Sequence, residues 1–448
     1  MTELYELTVD DAASLIRNGN ISPVDLSESI LAQIKRLDPI LKAWVYLDED
    51  AVINDAHLKE QEANSGINLG PLHGVPIGLK DIYHNAPIPT TACSKVYANF
   101  IPDHDATTVS KLKQAGAIML GKTVTTEFAC GDPSPTINPW NPDHTPGGSS
   151  SGSAVSVASR MCPAALGSQT VGSVLRPASY NGVVGFKPTL GRVSRYGVVP
   201  VSWTLDTMGW MTRTVKDAAL LLSVMDGHDP NDPISTTSTV KFDGDVSVIT
   251  NPKIGVIRDF FVEKADSETQ QKFLDIVDKF ARAGAEIVDI RLPDSFSYAI
   301  GDQQLIMSVE GAAFHKPMFD VQSEDYQPNI RAMIRRGLDT DATSYSDALE
   351  RRLRFVFDMN VTANAVDVLL TPSTPSPALP DITNTGNTMF QGPWTYCGLP
   401  TVTVPSGLSD GGMPLGIQLI GQYLNESLLL SVAAWAESVM GVDLNPNV

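Results

Sequence analysis

The sequence predicts an α/β protein built as a single domain, and three observations lead there. From Pro71 to Pro200 short apolar runs alternate with Gly, Pro, Ser and Thr turns; helical stretches with one apolar face separate several of those runs; and strand-like sequence resumes after Val366, beyond a charged, helix-periodic stretch. Strands on both sides of a helical stretch fit one core with a peripheral region better than independent modules. The expected divisions of 1–448 are an N-terminal helical segment (1–65), a core made from 66–260 and 361–448, and a helical peripheral region (261–360).

The elements follow in order. Thr8, with Asp10 and Asp11 behind it, caps a first helix that ends near Asn18-Gly19. A second helix starts at Ser22-Pro23 and carries Leu26, Ile30, Ile34 and Leu37 on one face. Val75–Leu79 and Ile118–Leu120 read as buried strands with a helix, Val109–Ala115, between them. Residues 214–226 form an amphipathic helix, Lys253–Ile257 a strand, and Gln270–Ala283 and Tyr345–Met359 helices. DVLLTPSTPSPALP, LPTVTVPSG and MPLGIQLIG return to strands and turns. There is no internal repeat.

Composition narrows the function. Hydrophobic residues make up 42% and charged residues 19%, which suits a sizeable core and argues against disorder. The 32 basic and 51 acidic residues leave a net charge of −19, and the basic ones are scattered, so nucleic-acid phosphates and anionic membrane surfaces are not expected partners. Cys93, Cys130, Cys162 and Cys397 show neither CxxC spacing nor a nearby His pair, so no disulfide framework or zinc knuckle is indicated, and no ligand cluster calls for a metal or organic cofactor. The opening MTELYELTVDDAASLIRNG lacks the basic and apolar regions of a secretion signal, and the longest apolar runs fall short of a membrane span; a cytoplasmic location is expected.

The chemistry concentrates in three places. Pro146-Gly147-Gly148-Ser149-Ser150-Ser151-Gly152-Ser153 alone reads as a flexible linker, but apolar sequence continues through Ala154–Val157. A second small-residue turn, Gly167-Ser168-Gln169-Thr170-Val171-Gly172-Ser173, ends 24 residues after Ser149, and Lys80 closes an apolar strand in Gly78-Leu79-Lys80-Asp81. Gly148–Gly152 matches the G-x-S-x-G elbow, yet NPDHTPG before it is no strand and no histidine follows His315. Ser110-Lys111-Leu112-Lys113 matches S-x-x-K without the S-D-N or Lys-Thr-Gly that should accompany it, and reads as a solvated helix face. Residue order alone leaves a Ser-His-Asp triad open, but His73, His84, His104 and His144 sit in turn-like stretches that read as exposed or locally hydrogen-bonded.

PLHGVPIGLKD (71–81), GKTVTTEFACG (121–131), PGGSSSGSAVSVAS (146–159), LGSQTVGSVLRPASYNGVVGFKPTLGRVSRYGVVP (166–200), LDTMGWMTRTVKDAALLL (205–222) and GLPTVTVPSGLSDGGMPLGIQLIG (398–421) together resemble the amidase signature family of serine hydrolases, over about half of the chain. The resemblance implies a large mixed sheet covered on both sides by helices, with 261–360 near the substrate entrance. It also implies a Ser-cisSer-Lys triad: Ser173 as nucleophile, Ser149 as bridging serine at a cis peptide bond, Lys80 as general base. The oxyanion hole would be the backbone N–H groups of Thr170, Val171, Gly172 and Ser173. Here the chain departs from the usual pattern, with Gln169 where Asp is common and Val171 where a Gly-Gly pair begins. Arg176 would organise the turn.

The chemistry this implies is physically demanding. A serine hydroxyl needs an adjacent base, and lysine serves only if burial lowers its pKa from about 10.4 toward 7–8. Ile77 and Leu79 supply an apolar setting; Asp81 would oppose the shift unless strand alternation turns it away. Expected substrates are small amides, anilides or carbamates (urethanes), with esters as side substrates, as in stand-alone amidases, aryl-amidases and urethanases. Tyr83, Met307 and Phe314 are candidates for pocket lining and Gln169 for a substrate contact, with selectivity expected in 84–104, 132–145 and 300–350. A glutamine-hydrolysing amidotransferase subunit is the alternative, although the arginines of 331–336 and 351–354 match no motif for that role. A catalytically silent homologue is a further one, disfavoured by retention of Lys80, Ser149 and Ser173. A homodimer is compatible with the resemblance.

Overall fold

The apolar runs pair into one eleven-stranded mixed sheet, in a computed structural model that describes residues 3–65, 69–238, 241–242 and 244–448. Its strands are β1 (Trp44–Leu47), β2 (Pro76–Lys80), β3 (Ile118–Thr123), β4 (Ala164–Gln169), β5 (Val184–Lys187), β6 (Thr207–Thr212), β7 (Lys253–Ile257), β8 (Glu286–Ile290), β9 (Val368–Pro372), β10 (Thr401–Leu408) and β11 (Pro414–Ile420). Their spatial order is β1-β3-β2-β4-β6-β5-β10-β11-β9-β7-β8. Pairing is parallel within β3-β2-β4 and within β9-β7-β8, and antiparallel through the middle. Every residue of β2, β4, β5, β6, β9 and β11 is buried, because helices cover both faces; such strands read as continuous apolar or small-residue runs rather than alternating ones. The chain is thus a single α/β domain.

The cap read at Thr8 is formed, and the helix start read at Ser22-Pro23 proves to be capped as well. Thr8 accepts from the Asp11 N–H, and Ser22 with Asp25 closes a reciprocal capping box on Pro23–Leu41, whose Leu26, Ile30, Ile34 and Leu37 are buried. Two strands lie where helices alone were expected. β1 follows the left-handed Lys42 (φ 52°) inside 1–65, and β8 pairs with β7 at the sheet edge inside 261–360. β1 is only four residues long, and β8 is half-exposed, so neither carries a strong apolar signature. The S-x-x-K helix is Thr107–Gln114, and its face is less solvated than expected: Lys111 Nζ donates to the carbonyls of Met225 (3.1 Å) and Asp226 (2.9 Å). Among the described residues no helix is long and apolar enough to cross a membrane.

The serine-rich stretch is no linker. Ser151–Ala158 is a fully buried helix pinned to the sheet through Ser153, whose Oγ donates to the Leu166 carbonyl (2.8 Å) and meets Thr123 Oγ1 (2.7 Å). Gly152 lets that helix sit against the end of β3: its N–H reaches the Val124 carbonyl (3.0 Å), and a Cβ there would run into the Ala43 carbonyl oxygen and Val124 N. Neither backbone atom can swing aside. Gly152→Ala is therefore expected to cost about 3 kcal/mol or more in a urea denaturation series. Gly411→Ala, whose Cβ would meet only Ser409 Oγ at 3.7 Å, should leave the midpoint nearly unchanged.

Candidate active site

β2 lies between β3 and β4, and its last residue, Lys80, is completely buried. Its amine lies 2.7 Å from Ser149 Oγ and 2.9 Å from Ser168 Oγ, the latter on β4. Both neighbours are neutral hydroxyls, and a hydroxyl can donate to an uncharged amine as readily as accept from a charged one. Burial pushes the Lys80 amine down to about 7, against a smaller upward pull from the Asp206 carboxylate. The Gly148–Ser149 peptide bond is cis.

Asp81 points the other way. Its carboxylate accepts from Thr91 N (3.1 Å), Thr91 Oγ1 (2.5 Å) and Cys93 N (3.3 Å), and it pairs with Lys122 Nζ at 3.2 Å. Lys122, on β3, is itself fully buried and also donates to the Tyr83 carbonyl (2.7 Å) and Thr90 Oγ1 (2.9 Å). Two lysines thus occupy adjacent strands with opposite roles: Lys122 neutralises the carboxylate next to Lys80, and among the described residues Lys80 has no anionic partner within hydrogen-bond distance.

The turn after β4 separates its carbonyls from its N–H groups. The Thr170 carbonyl accepts from Gln303 Nε2 (3.0 Å), Val171 from Thr395 Oγ1 (2.8 Å), Gly172 from Arg176 N (3.0 Å) and Ser173 from Ser150 N (3.3 Å). Among the described residues no protein acceptor takes the N–H of Val171, Gly172 or Ser173. Close approach explains the glycine: a Cβ on Gly172 would meet Gln391 Oε1 at 2.9 Å. Thr170 Oγ1 donates to Asp206 (2.6 Å), which also accepts from the N–H groups of Val201 and Ser202. Arg176 donates to the carbonyls of Gly148 (2.5 Å) and Gly386, tying this turn to the cis peptide; its guanidinium is buried and lies among neutral acceptors.

A cavity of about 380 Å³ opens above the turn. It is lined by Thr170, Val171, Ser173 and Arg176 from the turn and the helix after it, by Ala129, Cys130 and Gly131, by the apolar Met307, Ala332 and Met333, and by Asn329, Arg336, Thr385, Gly386 and Thr388. Of the residues read from the sequence as pocket lining, Met307 is there. Tyr83 is not: it is fully buried, with its hydroxyl donating to the Gly167 carbonyl (2.6 Å). Phe314 packs edge-on against His315 (4.9 Å between centroids), outside the cavity. Gln169 does not line the cavity either. Its Oε1 accepts from Val174 N (2.9 Å) and Leu175 N (3.0 Å) and its Nε2 donates to Thr395 Oγ1 (2.9 Å), so the side chain caps the helix Leu175–Asn181 and is spent.

The expected selectivity stretches contribute unevenly. Residues 300–350 supply Met307 and one face of the helix Pro328–Asp339, whereas 84–104 and 132–145 supply nothing to the wall. Sequence reading missed Cys130 and the 385–388 loop, and it named the stretch holding that helical face without naming its residues. The helix carried a usable signal, since Asn329, Ala332, Met333 and Arg336 recur at helical spacing.

A family model described as Amidase matches residues 25–430. The chain is 35% identical over 473 residues to a glutamyl-tRNA(Gln) amidotransferase subunit of Chloroflexus aurantiacus, covering 96% of each. Among solved structures, it is similar to the native peptide amidase of Stenotrophomonas maltophilia (29% identity, TM-score 0.87, covering 99% of this chain and 98% of that one). It is also similar to a structure described as a vestigial protein complex revealing the origins of an s-triazine catabolic enzyme (28% identity, TM-score 0.91, 99% and 100% covered).

The buried pair beside the site generates a stability test. Lys122→Met removes the cation paired with Asp81 and strands a buried carboxylate, so unfolding free energy should fall by about 3–5 kcal/mol in chemical denaturation. The double variant Lys122→Met/Asp81→Leu should recover part of the loss; equal loss in both would mean the pair is not what holds this corner.

Proposed function

The chain belongs to the amidase signature family of hydrolases, and from that premise we propose that it cleaves a C–N bond next to a carbonyl through an acyl-enzyme on Ser173. The observation that carries this reading is the Lys80 amine: buried, hydrogen-bonded to the Ser149 and Ser168 hydroxyls, and pushed down to about 7 by that burial.

In the proposed sequence Ser173 Oγ attacks the substrate carbonyl while its proton passes to Ser149, and the Ser149 proton passes to neutral Lys80. The oxyanion forms beside the N–H groups of the 170–173 turn, where one well-placed donor is worth roughly 3–4 kcal/mol. The relay then runs backwards: Lys80 returns its proton through Ser149 to the leaving nitrogen, the C–N bond breaks, and an amine departs. Water, deprotonated by the same relay, attacks the acyl-enzyme, and the carboxylate product leaves as Ser173 regains its proton.

A cavity of about 380 Å³ suits a small molecule, and we read small amides, anilides and carbamates as the substrates, with esters accepted as less resonance-stabilised analogues. One observation favours a second reading. The curated relatives named for glutamyl-tRNA(Gln) amidotransferase align over 96% of the chain, which supports a glutamine-hydrolysing role in company with partner subunits. Release of ammonia from glutamine, dependent on such partners, would favour it over a stand-alone hydrolase.

Ser173→Ala should abolish hydrolysis of an aryl amide without changing the circular dichroism spectrum, and Lys80→Ala should lower kcat/KM roughly 10²–10⁴-fold. The wild-type rate should rise with pH as the lysine loses its proton, with a midpoint near 7, because only the neutral amine accepts the serine proton. Identical pH–rate profiles for wild type and Lys80→Ala would remove Lys80 from its assigned role.

A further inference from the structure

The cavity carries positive charge and no acid. Arg176 and Arg336 line it, and none of its lining residues is Asp or Glu, in a chain with 51 acidic residues against 32 basic ones. The acids whose charge reaches Cys130 in its wall are turned away and occupied. Asp132 accepts from the N–H groups of Asn329 and Ile330 (2.8 Å each), and Glu127 from the Ser94 hydroxyl (2.6 Å) and Gln327 N (2.7 Å). Asp206 is held by Thr170, Val201 and Ser202.

The two arginines are not equivalent. The Arg176 guanidinium is buried under the turn and committed to the carbonyls of Gly148 and Gly386. Arg336 stands on the open side of the helix Pro328–Asp339, with only its Nε committed, to Ser308 Oγ at 3.0 Å; Ser308 is itself anchored on the Gln304 carbonyl (2.7 Å). Three other arginines of this region have carboxylates: Arg331 with Glu324 (2.8 Å), Arg351 with Asp302 (2.7 Å) and Arg354 with Asp358 (3.0 Å). Among the described residues Arg336 has none. Its placement is fixed by Gly337, where any side chain would strike the Ser308 carbonyl. A tethered guanidinium with free terminal N–H groups matches the two oxygens of a carboxylate.

We propose that Arg336 determines substrate specificity by receiving a carboxylate carried on the substrate, so that the preferred substrates are monoanionic amides without an ammonium group. The inference rests on the hydrolase reading above and narrows it. An amino acid amide such as glutamine would bring its ammonium into a cavity that offers it no counter-ion, whereas a carboxylate alone finds one.

The test compares succinyl, glutaryl and adipoyl 4-nitroanilides with butanoyl, pentanoyl and hexanoyl 4-nitroanilides on purified protein. Wild type should show higher kcat/KM for at least one carboxylated member than for its neutral counterpart, with the advantage falling as salt rises. Arg336→Gln should raise KM for that member roughly tenfold more than for its counterpart, with kcat little changed, and Arg336→Lys should recover part of the loss. Equal KM changes for both series, or a wild-type preference for the neutral series or for glutamine, overturns the proposal. A second arm measures calorimetric binding of the same anilides to Ser173→Ala and to Ser173→Ala/Arg336→Gln. Carboxylate-dependent binding lost with Arg336, in a wild type that hydrolyses nothing, refutes the hydrolase reading and keeps this one; hydrolysis with no Arg336-dependent binding does the reverse.

Discussion

A lysine sealed at the end of a central strand must either find an anion or be pushed toward neutrality, and the rest of the site is arranged so that burial lowers the Lys80 amine to about 7. Charge burial is costly enough that such a group sheds its proton unless an opposite charge is supplied. The obvious supplier is Asp81, one residue away, and it is withheld twice over. Strand geometry sends its side chain to the opposite face, and Lys122 from the neighbouring strand pairs with it there. What remains around the Lys80 amine is hydroxyl chemistry from Ser149 and Ser168. Asp206 acts on it only through space, and its carboxylate is already held by three donors.

The same logic of prior commitment shapes the turn that follows β4. Four successive carbonyls are engaged by donors from four separate parts of the chain: Gln303, Thr395, Arg176 and Ser150. A peptide unit whose carbonyl is fixed has its N–H fixed in the opposite direction. In the proposed mechanism these N–H groups would hold that orientation before any substrate arrives, so that little reorganisation would be needed as negative charge develops. Gln169 belongs to this scaffold. It links the helix Leu175–Asn181 to Thr395, and Thr395 in turn holds the Val171 carbonyl. The departures at 169 and 171 thus fall on different tasks, one on supporting the turn and one on the cavity wall.

Much of this was legible in the sequence, and the failures have physical causes. The limits of β7 were read to the residue, the cap at Thr8 formed as written, and the second helix starts where Ser22-Pro23 was read to start it, because capping is local chemistry. Lys80 stood out because a lysine that closes an all-apolar strand is rare unless buried for a reason. β1 and β8 did not stand out, since a four-residue strand and a half-exposed edge strand lack the apolar run that marks the rest. Tyr83 and Phe314 look alike in sequence to any pocket aromatic. Which of them faces a cavity depends on partners far along the chain, the Gly167 carbonyl for one and His315 in its aromatic cluster for the other. The role of Lys122 was invisible for the same reason: it needs the register of β2 against β3, and register is a tertiary fact.

The central claim is a protonation state, so the most direct measurement is a titration of that one amine. In protein labelled with 15N at lysine side chains, the Lys80 signal, assigned by its loss in Lys80→Arg, should titrate with a midpoint near 7. A midpoint near the ordinary value of about 10.4 would contradict the account, because the amine would then be charged at neutral pH and unable to take a proton from serine.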